Sequence, residues 1–241
     1  MFNNWYFEII KMLSILILLA LPPFLALIRY SNLFKKKKYM WFLIFIPYVV
    51  ATLFTQNLLP FIAVILTLYF IKKQNDEELM FHFRSLKGWT AEIIGIAVLF
   101  KFAITILSVI YVFLLTKLGF TVESQEVIGM FLKASWIQVI FLSITTVIFA
   151  PIVEEFIFRH MLYRGVKKKN KAFAVIFTSL LFTLLHYNLA GSLSFFAVGI
   201  LNCYLYDKFG YRAAVLNHVV FNFISVVLII AAKVLNLPLS G

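Results

Sequence analysis

The chain has 241 residues, 63% hydrophobic and only 13% charged, with a formal net charge of +12. Soluble domains run nearer about 45–50% apolar and 25% charged. This composition excludes an ordinary soluble fold and leaves room for several membrane helices of about 20 residues each. The positive charge does not point to nucleic acid. Its residues cluster between apolar runs, at Lys35 to Lys38, Lys72/Lys73, Arg84/Lys87, Arg164 to Lys171 and Lys208/Arg212, as in the cytoplasmic loops of membrane proteins. The fold class is all-α: a polytopic transmembrane helical bundle forming one integral membrane domain over 1–241. Its partner is the lipid bilayer, its expected location a bacterial plasma membrane. The oligomeric state is open.

Hydropathy predicts eight spans, near 7–28, 40–55, 58–71, 91–116, 136–162, 172–188, 192–207 and 213–235. The first is too long for the apolar core of a secretory signal and lacks a small-residue cleavage site, so it reads as a retained helix. The stretch 40–71 divides at "TQNLLP" (Thr55 to Pro60). Two short spans there return Lys35–Lys38 and Lys72/Lys73 to the same side, whereas one long span would separate them. Segment 73–90 is partly amphipathic and is expected on the cytoplasmic surface. Segment 118–135 carries Glu123 and Glu126 and one lysine, and is expected outside, as are both termini. Cys203 is the only cysteine, so the chain forms no internal disulfide.

Ionisable groups inside spans are costly, and they mark function or pair with one another. Three groups stand out in the second half of the chain. "EEFIFR" places Glu154, Glu155 and Arg159 in one span, "FTLLH" ends the next with His186, and "HVVFN" places His218 and Asn222 in the last. Glu155 and Arg159 are four residues apart and share a helix face. Glu154 is turned away from them by about 100°. His218 and Asn222 share the same offset and aim at one neighbour. Each group has a structural explanation of its own: an ion pair, an interfacial histidine, a hydrogen-bonding patch between helices. Their occurrence together predicts a shared cavity within the membrane.

The three motifs, with Pro151 before them and "YRG" (Tyr163 to Gly165) after the first, resemble those of the CAAX-processing and bacteriocin-processing (CPBP, or Abi) intramembrane proteases. The resemblance covers about residues 135–235, the expected protease core. Residues 1–90, spans plus a cytoplasmic loop, match nothing beyond generic helices. His160 departs from the family, whose members often have glycine after the motif arginine, and it matches no family position. The resemblance implies that Glu154, Glu155, Arg159, His186, His218 and Asn222 form the catalytic site of an endopeptidase.

The chemistry suits hydrolysis. A carboxylate withdrawn from water is a stronger base, so Glu154 is the expected activator of water. His186 would hold that water, His218 and Asn222 would donate to the oxyanion, and Arg159 would hold Glu155. A zinc ion on Glu154, His186 and His218 is the competing account, and the family is often labelled metalloprotease. We read the reaction as needing no obligatory metal. The expected substrate is a peptide or membrane protein, since nothing in the sequence marks a groove for a prenyl chain. A bacteriocin self-immunity or membrane interaction role on the same fold is the non-enzymatic alternative. One geometric tension remains: counted along the helix axes, His186 stands about 22 Å from Lys171, but His218 only about 9 Å from Arg212.

Overall fold

The computed structural model describes residues 4–31, 40–55, 57–74 and 82–237. The cluster Lys35–Lys38 and residues 75–81 of the amphipathic segment lie outside the described residues. Among those described, every regular element is helical: α1 (Trp5–Ser31), α2 (Met40–Thr55), α3 (Leu58–Gln74), α4 (Thr90–Lys117), α5 (Glu126–Lys133), α6 (Trp136–Val166), α7 (Lys171–Leu184), α8 (Ser192–Phe209) and α9 (Tyr211–Val234). A helix stands on each apolar stretch predicted from hydropathy. Helices α1, α4, α6 and α9 are long and apolar enough to cross a membrane, while α2 and α7 are apolar but shorter. The outward faces of the long helices are greasy, with Leu99, Ile106, Ile137 and Phe141 largely exposed. Such surfaces fit an integral membrane protein, whose outer face meets lipid rather than water.

Prolines shape two of the long helices. A proline cannot donate to the carbonyl four residues back, and its ring crowds that carbonyl. In α1 a π turn, Leu16–Ala20, stands just before Pro22 and Pro23, and in α6 another, Thr145–Phe149, stands just before Pro151. A second π turn in α6, Phe156–Tyr163, carries Arg159. Local widening of this kind shifts the phase of the side chains that follow.

The core gathers around α6. Val153, Phe156 and Phe158 pack with Phe182 of α7, Tyr206 of α8 and Ala214 of α9, all buried. Helices α7 and α8 touch where a Cβ on Gly199 would come within 2.7 Å of the Ser179 Cβ. Only a residue without a side chain fits there. Segment 118–135, expected outside, contains a helix: α5 buries Phe131 against Val139 and Val226. Its last carbonyls accept from Lys233, with Nζ 2.9 Å from both Phe131 O and Leu132 O, a cation placed at the negative end of a helix.

Two boundaries differ from expectation. The sixth stretch, 172–188, stops being helical at Leu184, because Tyr187 takes a left-handed backbone (φ 46) and Asn188 Oδ1 accepts from the Gly191 amide. His186 therefore stands just past the helix end rather than inside it. The turn between α8 and α9 is also not a surface loop. Gly210, at φ 91, lies so close to the His82 carbonyl that a Cβ would come within 2.7 Å of its oxygen, and Arg84 Nε donates to Phe209 O at 3.1 Å. With this turn tucked under residues 82–84, the start of α9 is set into the protein.

Candidate active site

Glu155 is the hub. Its side chain is fully buried, with Oε2 3.2 Å from Arg159 Nε, also fully buried. The contact is at ion-pair distance, although neither atom is aligned for a hydrogen bond. Oε1 accepts from Asn202 Nδ2 of α8 at 2.8 Å and meets His218 Nδ1 of α9 at 2.8 Å. Asn217 Nδ2 donates in turn to Asn202 Oδ1 at 2.6 Å. Arg159 Nη2 donates to the Gly199 carbonyl at 3.1 Å, and its guanidinium lies 4.8 Å from the centre of the Phe182 ring. One carboxylate thus ties α6 to α8 and α9, and the arginine beside it adds α7.

Glu154 is placed differently. Its side chain is 13% exposed, and its Oε2 lies 3.9 Å from His218 Nε2. An ionised Glu155 only accepts, so it takes the proton on His218 Nδ1 and leaves Nε2 facing Glu154. His186 Nδ1 lies 2.7 Å from the Phe182 carbonyl. A carbonyl cannot donate, so Nδ1 of His186 carries a proton. The His186 ring stacks on Phe195 at 3.9 Å, and Phe182 stands edge-on to both His186 and His218.

Asn222 donates from Nδ2 to the Thr146 carbonyl at 2.9 Å. Thr146 sits in the π turn ahead of Pro151, where a neighbouring side chain takes up the loosened backbone. His218 and Asn222 do share one neighbour, α6, but they meet it at two separate places. The structure thus joins Glu154, Glu155, Arg159 and His218 directly. His186 adjoins them through Phe182, and Asn222 stands one turn along α9.

His160 lies apart from this group. It is buried, with Nδ1 3.0 Å from the Tyr206 hydroxyl and Phe83 against its ring. Asn202, Asn217 and Gly199 were missed in the sequence. Asn202 and Asn217 each left a trace, as amides in the apolar runs "GILNCYLY" and "AAVLNHVV".

The donor chemistry of Glu154, His186 and His218 suits zinc, but their placement does not. Among the described residues no group of three His, Cys, Asp or Glu side chains is arranged to hold a metal ion.

The fold and the site define a class: a helical membrane protein with a buried carboxylate–arginine–histidine cluster shared by adjoining helices. Residues 134–224, from just before α6 to partway along α9, match a family described as type II CAAX prenyl endopeptidase Rce1-like. This match covers the stretch that carries the three motifs and agrees with the resemblance read from them. No curated protein and no solved structure matches the chain.

Proposed function

We propose that the chain is an intramembrane endopeptidase that hydrolyses a peptide bond of a membrane-associated protein or peptide, with Glu154 as the base. The observation that carries this reading is the contrast between two adjacent carboxylates. Among the described residues, Glu155 is committed to Arg159, Asn202 and His218, whereas the polar partner of Glu154 is the far nitrogen of His218, at 3.9 Å. That gap is too long for a direct hydrogen bond and is the kind a water molecule bridges.

A water held there gives its proton to Glu154 as its oxygen attacks the scissile carbonyl. The tetrahedral intermediate collapses with cleavage of the C–N bond, and Glu154 returns the proton to the leaving amine. When His218 is doubly protonated and no longer accepts at Nε2, His186, with its proton on Nδ1, offers its own Nε2 lone pair to the water's second hydrogen. The second amide N–H of Asn222 is available to the oxyanion, a contact worth about 3–4 kcal/mol in favourable sites. His218 joins it as donor only when doubly protonated, with Glu155 as counter-ion. Glu155, Arg159 and Asn202 position these groups.

The topology we propose has eight crossings, with the basic clusters cytoplasmic and the protease core over 135–235. The Glu154→Gln variant tests the assignment. It keeps shape and hydrogen bonding and removes the base, so cleavage of a peptide substrate should cease while membrane insertion and detergent stability stay as in the parent. Near-normal turnover would overturn the role of Glu154.

A further inference from the structure

Lys101 lies within the apolar helix α4, in "LFKFAITILS", where a lysine is costly and marks function by default. Its Nζ donates to Ser225 Oγ at 2.7 Å and lies 3.8 Å from the centre of the Phe221 ring. Among the described residues no carboxylate lies within ion-pair distance of it. A cavity of about 170 Å³ opens beside this ammonium, lined also by Thr146, Ser194, Phe195, Asn222 and Ser225. The cavity adjoins the site already described, because Asn222 belongs to both and Phe195 stacks on His186. Ser225 stands seven residues beyond His218 on α9, about 10 Å along the axis. The first turn of α8 also lines the cavity and adds the positive end of its dipole.

We propose that this cavity is a carboxylate-binding subsite, in which Lys101, oriented by Ser225, holds an acidic group of the bound peptide close to Asn222 and the reacting bond. The placement rests on the endopeptidase reading above. A cation held by a hydroxyl and an aromatic face, with space before it and no resident counter-ion, is arranged to receive an anion. A carboxylate is the anion that a peptide brings, from its C-terminus or from an acidic side chain.

The test measures binding and cleavage separately on the purified full-length protein. The probes are an acetylated apolar peptide with a free C-terminal carboxylate, its C-terminal amide, and the amide carrying one internal glutamate. The free acid should bind about tenfold more tightly than the plain amide, the worth of a charged hydrogen bond. Lys101→Met should abolish the difference and Lys101→Arg should retain it. If the glutamate-bearing amide also binds tightly, the subsite stands and its ligand is a side chain. Equal binding of acid and plain amide by the parent protein would overturn the proposal, even where Lys101→Met fails to fold. So would a preference that survives in a folded Lys101→Met. Binding selectivity without hydrolysis of any probe would count against the endopeptidase reading and leave the carboxylate site intact.

Discussion

At the scale of single residues, the arrangement around Glu155 explains why a costly ion pair is kept in an apolar protein. Two charges with fully buried side chains, as in Glu155 and Arg159, lose their hydration, and removing one partner strands the other, at about 3–5 kcal/mol. Arg159→Leu should therefore lower thermal stability by several kcal/mol and reduce activity with it. Replacing Glu155 with Gln and Arg159 with Leu together should recover part of the stability, measured as a double-mutant cycle in detergent. Strictly additive losses would mean that the two do not interact. The same residues bear on the metal question. If Glu154 activates water unaided, the purified enzyme should keep its activity through exhaustive chelation, with no stoichiometric metal by elemental analysis. Loss of activity restored by zinc alone would move Glu154, His186 and His218 to the role of ligands.

At the scale of elements, the site depends on how closely α7 and α8 approach. Gly199 serves twice: its missing side chain admits Ser179, and its carbonyl accepts from Arg159. Gly199→Ala should push the helices apart and cost about 1–3 kcal/mol through overpacking. The same shift would draw the carbonyl away from the arginine, so activity should fall along with the melting temperature. Adding Ser179→Gly, which removes the Cβ and hydroxyl nearest the new methyl, should restore part of both. No recovery would place the cost elsewhere than in this contact. The π turn before Pro151 works in the same way on a smaller scale, since it offers the Thr146 carbonyl to Asn222.

At the scale of the whole molecule, α2 and α3 decide the topology. Two separate helices stand where one long helix was the alternative. If both cross, positions 29 and 73, at the far ends of α1 and α3, lie on the same side. In a Cys203→Ser background, cysteines at Arg29 and Lys73 should both resist a membrane-impermeant thiol reagent added to intact cells. Labelling of one alone would mean an odd number of crossings between them, and the assignment of the termini would change with it.

Much of this protein was legible in its sequence because the relevant information is local. Apolar runs mark helices by their own composition, and a spacing of four residues puts Glu155 and Arg159 on one face whatever surrounds them. The three motifs could be read for the same reason, each lying within a single helix or at its end. What only the tertiary structure decided is which faces meet. Asn202 reaches Glu155 from α8 and is itself held by Asn217 of α9, and no periodicity within either helix announces those contacts. The burial of His160 away from the site, the end of α7 ahead of His186 and the inset turn at Gly210 follow from packing between distant segments. Helical period is a property of a few consecutive residues, whereas the assembly of a site depends on how whole helices approach and cross.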